Sequence, residues 1–174
     1  MTRLDKSTFV YYKDEENTKS QIGVTHNRIV EIPNFVDADT AQKLIQYFEN
    51  GPETWDVIAF YGSFGMGLNP SSVELAKFGL PADIFDKINS TTKEAVELIF
   101  ERSVKPNTSH AQKWTEGAFA YPHSDNSDFD GNPTAFEINK YVAILYLNDD
   151  YTGGELYFPD HNIEFKPNKY SKIG

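Results

Sequence analysis

The chain contains no cysteine. Disulfides, thiolate zinc sites and cysteine nucleophiles are therefore excluded, and any bound metal must be held by nitrogen and oxygen ligands. Long hydrophobic runs are also lacking, because no stretch approaches the roughly 20 apolar residues of a membrane span. The N-terminus has no apolar run of the kind found in signal peptides. We therefore expect a cytoplasmic protein without a membrane partner.

Positive charge is scarce. Sixteen basic residues stand against 26 acidic ones, which gives a net charge of −10. Such a chain repels phosphate backbones and anionic membranes, so we expect no nucleic-acid partner. A length of 174 residues suits one domain that buries a sizeable core.

Helix patterns occupy the first part of the chain. Residues 28–35 alternate like a short strand, and residues 37–50 then have the pattern of a helix capped by Asp37 or Asp39 and ended by Gly51. Residues 81–104 predict one long helix or two short ones, with Pro81 in the first turn. The apolar positions expected to share a buried face are Ala41, Leu44, Ile45 and Phe48 in the first helix, and Ile84, Ile88, Ala95, Leu98 and Ile99 in the second.

Between these two patterns lie a predicted strand at residues 55–62 and a glycine-rich stretch at residues 62–72. The stretch precedes no helix carrying a phosphate-binding lysine, so it predicts a flexible lid or an edge of the fold rather than a nucleotide loop.

Strand patterns dominate after residue 110. Aromatic and β-branched runs, separated by turn residues, are typical of short antiparallel strands. Helices followed by strands indicate an α+β fold. We expect one domain over residues 1–174, helix-rich over 1–110 and strand-rich over 111–174.

The segment "AYPHSDNSDFDG" (120–131) gathers a histidine and three aspartates. One interpretation is a calcium loop over residues 126–137, with oxygen ligands at Asn126, Asp128 and Asp130, a turn glycine at Gly131, and Glu137 as a bidentate ligand. This interpretation describes a noncatalytic, acidic β-sandwich module. The flanking segments lack helix patterns, and Pro133 removes an amide from the loop. A solvated acidic loop without an ion is a further alternative.

The second interpretation concerns His123 and Asp125. In an extended segment, residues i and i+2 point to the same face, so the two side chains can present a nitrogen and an oxygen to one ion. Non-haem iron(II) oxygenases use two histidines and one carboxylate on one side of the metal, which leaves the other side open. A bare His-x-Asp triplet is also common as a surface pair.

Residues 114–125, "WTEGAFAYPHSD", resemble the motif aromatic-x-x-Gly-x-x-Tyr-x-x-His-x-Asp of the prolyl 4-hydroxylase-like family of 2-oxoglutarate, iron(II)-dependent dioxygenases. Trp114 stands where the family usually has tyrosine, and Ala120 where it often has another aromatic residue. Residues 140–174 resemble the family's next block, with "YLN", an acidic turn, "GGEL", "FP" and a Lys-Pro-rich turn ending in glycine. The two blocks cover residues 112–174.

The resemblance implies a double-stranded β-helix, or jelly-roll, supported by the N-terminal helices. It implies that His123 and Asp125 bind iron(II). It also implies three cosubstrate contacts: Tyr146 hydrogen-bonds the distal carboxylate of 2-oxoglutarate, Leu156 forms an apolar wall of that pocket, and Trp114 lies at a cosubstrate-binding position. Tyr146 and Leu156 are equally compatible with core positions of a strand. The implied activity is hydroxylation of a peptidyl or free amino acid, with iron(II), 2-oxoglutarate and optional ascorbate.

The family's second iron-binding histidine and a Lys or Arg for 2-oxoglutarate follow the glycine that matches Gly174. We therefore expect a truncated form that lacks the last strands; the alternatives are that these strands come from elsewhere and that the chain is a natural remnant without the activity. His161 is a weaker ligand candidate, since it lies in a turn pattern. Lys166, Lys169 and Lys172 are expected to be exposed turn lysines rather than cosubstrate anchors.

Overall fold

The computed structural model describes seven stretches of the chain, which are residues 4–12, 29–50, 56–58, 65–68, 83–107, 111–128 and 130–173. Its helices are α1 (Ala38–Asn50) and α2 (Asp83–Phe100), together with short 3₁₀ turns at Lys6–Thr8 and Pro159–His161. Its strands are β1 (Val10–Tyr12), β2 (Ile29–Ile32), β3 (Asp56–Ile58), β4 (Gly65–Leu68), β5 (Ala111–Lys113), β6 (Ile144–Leu145), β7 (Leu156–Phe158), β8 (Ile163–Phe165) and β9 (Lys172–Ile173).

The chain divides into two compact units. The first comprises Met1–Gln42, Ala95–Arg102 and Tyr141–Gly174, and the second comprises Lys43–Glu94 and Ser103–Lys140. No helix in the described stretches is long and apolar enough to cross a membrane. The described strands form antiparallel sheets of four, three and two strands, and they do not close into a barrel.

The four-stranded sheet of the first unit has the order β1-β2-β9-β6, so its two central strands come from opposite ends of the chain. Strand β9 pairs with β2 and with β6 through the same two residues, with Lys172 opposite both Ile32 and Leu145. A buried carboxylate reinforces this pairing. The Glu31 side chain, which is 1% exposed, accepts a 2.9 Å hydrogen bond from the Asn168 amide shortly before β9.

The environment of Lys172 differs from the expectation. This lysine lies in a central strand and is only 7% exposed, so the prediction of an exposed turn lysine was wrong for this residue. Its ammonium lies 5.1 Å from the centroid of the Phe35 ring. Burial lowers the pKa of Lys172 from 10.5 to about 8, because the charged form loses its hydration.

The two-stranded sheet of the first unit is the hairpin of β7 and β8, with Leu156 opposite Phe165. The rings of Phe158 and Phe165 stack with centroids 6.2 Å apart. The connection between the strands is the 3₁₀ turn that contains His161, and Asn162 ends it in the left-handed conformation (φ 49°). The sequence predicted both strands and the turn.

The three-stranded sheet of the second unit has the order β3-β4-β5. Its central strand is Gly65–Leu68, within the stretch that we expected to be a flexible lid or an edge. That expectation was wrong for these four residues, because pairing on both sides compensates for the low strand propensity of glycine. The rest of residues 62–72 lies outside the described residues.

Helix α1 follows the predicted pattern at its start. The Asp37 carboxylate accepts a 2.7 Å hydrogen bond from the Thr40 amide, which is the geometry of an N-cap. Ala41, Leu44 and Phe48 are buried as predicted, whereas Ile45 is half-buried and Tyr47 is buried in addition. The helix extends to Asn50, and the predicted end at Gly51 lies outside the described residues.

Helix α2 is one continuous helix of 18 residues, which resolves the alternative of one helix or two. Ile88, Ala95 and Ile99 are buried, and Val96 joins them. Ile84 and Leu98 are half-buried, and Pro81 lies outside the described residues. The spacing of the buried positions follows the 3.6-residue period, so the apolar stripe sets which face of the helix is buried.

The cap of α1 gives a testable pH dependence. Hydrogen bonds from Thr40, the backbone amide first, hold the pKa of Asp37 well below its usual value of 3.8. A lowered carboxylate pKa stabilises the folded state above pH 3.8, and this contribution is lost as the pH falls toward the folded-state pKa.

We expect Asp37→Ala to lower the free energy of unfolding by about 1 kcal/mol at pH 7 and by less near pH 2. Urea unfolding at both values measures this. The control is Asp39→Ala in the first turn, and an equal loss for both variants would contradict the assignment of the cap.

Candidate functional site

The two proposed metal ligands lie in a short, bent segment of the second unit. His123 precedes a tight turn in which Ser124 and Ser127 form an antiparallel bridge, and Asp125 lies inside that turn. Although this backbone is not a regular strand, the two side chains converge. The His123 Nε2 atom is 3.5 Å from the Asp125 Oδ1 atom.

This separation is close to that of two ligands on one ion. With metal–ligand bonds of about 2.1 Å, adjacent ligand atoms lie roughly 3.0–3.4 Å apart in octahedral or tetrahedral geometry. The observed 3.5 Å is longer than a normal hydrogen bond and lies within ion-pair distance, so the spacing is compatible both with a shared ion and with a direct ion pair.

A backbone carbonyl fixes the His123 ring. Its Nδ1 atom lies 2.7 Å from the carbonyl oxygen of Tyr121. Because a carbonyl can only accept, Nδ1 carries the proton, and in the neutral ring the lone pair is on Nε2, the atom facing Asp125. Metal-binding histidines commonly use such an outer hydrogen bond to set the tautomer and the ring orientation. Sequence reasoning did not identify Tyr121 as the acceptor, because the partner is a backbone atom and no side-chain motif encodes it.

Within the described part of the chain, no third histidine, cysteine, aspartate or glutamate joins this pair to form a cluster of three possible metal ligands. His161 lies in the 3₁₀ turn of the first unit, and His26 and His110 lie outside the described residues. The described geometry therefore offers one nitrogen and one oxygen ligand, and it leaves the remaining coordination positions to small molecules or to other donors.

The acidic loop after Asp125 has an ordered internal network. The Asp128 carboxylate accepts hydrogen bonds from the backbone amides of Asp130 (2.9 Å) and Asn132 (2.8 Å) and from the Asn132 side chain (3.0 Å). These hydrogen bonds lower the pKa of Asp128, and the bond from the Asn132 side chain contributes most to the shift. The Thr134 hydroxyl donates to the carbonyl of Asp125, which connects the loop to the ligand pair.

The surroundings of this loop differ from those of a helix-loop-helix calcium site. A helix-loop-helix site needs a helix on each side of the loop, whereas residues 111–128 and 130–145 contain only short strands, bridges and turns. Asp128 is engaged by the loop's own donors, and Glu137 is an exposed residue in a turn. Asn126, the first proposed ligand, accepts a 2.7 Å hydrogen bond from the Ser124 hydroxyl.

The loop network predicts a local effect. We expect Asp128→Ala to speed amide hydrogen exchange at Asp130 and Asn132, because both amides lose their acceptor, while residues in helix α2 keep their exchange rates. Exchange measured by nuclear magnetic resonance detects this, with the exposed Asp130→Ala as the matched control. Unchanged exchange at Asn132 would contradict the described network.

Exposed aromatic side chains precede the ligand pair in the chain. Phe119 and Tyr121 are exposed, and their rings meet edge to face with centroids 5.4 Å apart. Trp114, a predicted cosubstrate position, is also exposed, and its indole N–H is 3.3 Å from the Gln112 side-chain oxygen. Large aromatic rings in water are more common at binding surfaces than elsewhere on a protein.

The two other predicted cosubstrate residues belong to the first unit. Tyr146 follows β6, and its backbone hydrogen-bonds Ser171 and Tyr170, which extends the pairing with β9. Burial, with a smaller contribution from Tyr151, raises the pKa of the Tyr146 phenol, so this group stays neutral and can donate a hydrogen bond. Leu156 begins strand β7 and is half-buried.

Comparisons of this chain with protein-family models, with curated proteins and with solved structures found no match. The functional interpretation therefore depends on the residues and their geometry.

Proposed function

We propose that this protein is a 2-oxoglutarate- and iron(II)-dependent dioxygenase of the prolyl 4-hydroxylase-like type, which hydroxylates a peptidyl or free amino acid. The observation that carries the proposal is the 3.5 Å approach of His123 Nε2 to Asp125 Oδ1, with the other ring nitrogen bonded to the Tyr121 carbonyl. This approach occurs in the motif that resembles the family's metal-binding segment. A jelly-roll fold and a cytoplasmic location are parts of the same proposal.

Each residue has a defined role in this proposal. His123 and Asp125 would hold iron(II) through one nitrogen and one oxygen ligand. The Tyr121 carbonyl keeps the His123 ring in the tautomer that directs a lone pair toward the ion. Bound iron(II) with 2-oxoglutarate and O₂ would supply the oxidation of an unactivated C–H bond to C–OH, with one oxygen atom entering the product, the other entering succinate, and carbon dioxide leaving.

The Tyr146 phenol contributes a neutral donor for the distal carboxylate of 2-oxoglutarate, because its raised pKa prevents a competing negative charge. Leu156 and Trp114 are proposed as further cosubstrate contacts. The exposed rings of Phe119 and Tyr121 offer apolar surface to a substrate side chain near the ligands. The net charge of −10 disfavours strongly anionic substrates.

The experiment that tests this proposal is an assay of succinate release from 2-oxoglutarate, with iron(II), oxygen and ascorbate to keep the iron reduced. Two forms are assayed, the 174-residue chain and a version extended at its C-terminus, because the described residues bring no second histidine to the His123–Asp125 pair. We expect succinate to form in at least one of them with iron(II) and in neither with calcium or zinc. Absence of succinate formation, together with calcium binding that persists after His123→Ala, would reject the proposal and favour the acidic calcium module.

A further inference from the structure

Two exposed aromatic rings of the second unit form a pair on its surface. Phe119 is 49% exposed and Tyr121 is 59% exposed, and the two rings meet edge to face with centroids 5.4 Å apart. Rings that already contact each other lose little conformational freedom when a third group joins them. Contiguous exposed aromatic surface is more common at binding sites than elsewhere, so we examined which group would cover this pair.

The faces of these two rings carry no cation from the described part of the chain. In the first unit, by contrast, lysine ammonium groups lie 4.2 Å, 5.8 Å and 5.1 Å from the ring centroids of Tyr151, Tyr170 and Phe35. No described lysine or arginine lies over Phe119 or Tyr121 in the same way. Aromatic faces attract cations because the π electrons make them negative, so this pair keeps that attraction for another molecule.

The segment that contains the pair is negatively charged. Residues 114–139 include five carboxylates and no lysine or arginine. The two flanking lysines are already engaged, since Lys113 pairs with Glu49 at 2.9 Å and Lys140 donates to a backbone carbonyl at 3.4 Å. The carboxylate that precedes the ring pair, Glu116, is exposed and forms no ion pair within the described residues. A positively charged group that reaches the rings therefore enters a field that favours it.

A turn holds Glu116 close to the rings. The Ala118 amide donates a 2.9 Å hydrogen bond to the Thr115 carbonyl, which closes a turn with Glu116 at its corner. Gly117 adopts a φ of +80°, the conformation that a type II turn needs at its third residue. Phe119 follows this turn directly, so its Cα atom and that of Glu116 are no more than about 11 Å apart. One long cationic side chain can therefore contact both the carboxylate and the rings.

We propose that the Phe119–Tyr121 ring pair, together with Glu116, binds a lysine or arginine side chain, and that the substrate of this protein is a basic peptide. This inference rests on the proposed function and narrows its substrate class. The Tyr121 carbonyl lies 2.7 Å from the His123 ring, which places the backbone of the pair next to a proposed iron ligand. A free amino acid is held best in a concave pocket, whereas a half-exposed surface needs the further contacts of a longer chain.

The test measures the binding of two short peptides, rich in glycine and serine, to the whole chain without added metal by fluorescence anisotropy. One peptide has the central sequence Lys-Pro-Lys, and the other has norleucine in place of both lysines, which removes only the ammonium groups. We expect the wild type to bind the lysine peptide at least about fivefold more tightly. The double variant Phe119→Leu/Tyr121→Leu keeps an apolar surface without aromatic faces. It should lose about fivefold or more in affinity for the lysine peptide and bind the norleucine peptide as before.

Two variants of the first unit are the matched controls. Tyr157→Leu removes an exposed aromatic ring, and Glu164→Gln removes an exposed carboxylate with the same change in net charge as Glu116→Gln. Both controls should bind the lysine peptide as the wild type does, whereas Glu116→Gln should weaken its binding about twofold or more. Equal loss in Glu116→Gln and Glu164→Gln would show that net charge alone attracts the peptide, which would overturn the inference. Equal wild-type affinity for the two peptides would also overturn it, as would equally tight binding of free lysine.

The succinate assay tests the substrate role separately. In a form that releases succinate, the lysine peptide should raise the rate, and the double variant should lose this increase while it keeps the rate without peptide. An active form whose rate the peptide leaves unchanged would reject the substrate role and leave the proposed function standing. If no form releases succinate, the proposed function fails, and with it the substrate role. The anisotropy measurement, made without metal, then still decides whether the ring pair binds a cationic peptide.

Discussion

Replacement of His123 by alanine is expected to raise the dissociation constant for iron(II) by at least about 100-fold and to abolish succinate formation. Loss of an outer-shell partner alone costs 10–100-fold in metal affinity, and this substitution removes a direct ligand. With His123 absent, Asp125 is the single proposed protein ligand in the segment. An anaerobic titration with iron(II), followed by dialysis and metal analysis, measures the change.

His161→Ala is the matched control, because His161 is the other described histidine and lies in the 3₁₀ turn of the first unit. It should retain wild-type iron affinity. The two variants also separate the metals, since a calcium site over residues 126–137 needs no imidazole. Equal loss of iron affinity in both variants would indicate nonspecific binding, and retention of affinity by His123→Ala would contradict the assigned site.

Replacement of Lys172 by methionine is expected to stabilise the protein at pH 7 by up to about 3 kcal/mol, which corresponds to the difference between the usual pKa of 10.5 and the folded-state pKa of about 8. At neutral pH the wild type must keep a charged ammonium buried, with the Phe35 ring as partial compensation. Methionine retains the unbranched apolar stem without the charge. Urea unfolding of both proteins measures the difference.

The sign of the pH dependence follows from linkage. Between pH 8 and 10.5 the unfolded chain holds a proton that the folded protein has released, so wild-type stability rises with pH in this window. The advantage of Lys172→Met should therefore shrink between pH 8 and 10.5. Lys169 forms an exposed ion pair with Asp149, so Lys169→Met should change the free energy of unfolding little at pH 7 or at pH 10.5. A stability loss for Lys172→Met that is the same at pH 7 and pH 10.5 would show that the lysine is not a buried charge.

Local sequence patterns predicted the elements that depend on local physics. The cap at Asp37 and the 3.6-residue apolar period located α1 and α2, and alternation located β2. Gly65–Leu68 forms a strand because it pairs with β3 and β5. No local sequence pattern contains the information for this pairing. The burial of Lys172 has the same origin, because strand β9 pairs with a strand about 140 residues earlier.

Prediction of the candidate site had a similar limit. His123 and Asp125 approach each other as predicted, but the predicted cause was wrong, because a turn and not an extended segment brings them together. The Tyr121 carbonyl could not be identified, since any backbone oxygen is a possible acceptor until the chain is folded.

We propose that His123 and Asp125 form an iron(II) site that also binds 2-oxoglutarate. The most direct measurement is an anaerobic absorption titration of the protein with iron(II) and 2-oxoglutarate together. We expect a metal-to-ligand charge-transfer band that saturates with both components, is absent in His123→Ala, and disappears on admission of oxygen as succinate forms. Failure of the wild-type protein to develop the band at saturating iron(II) and 2-oxoglutarate would contradict the account.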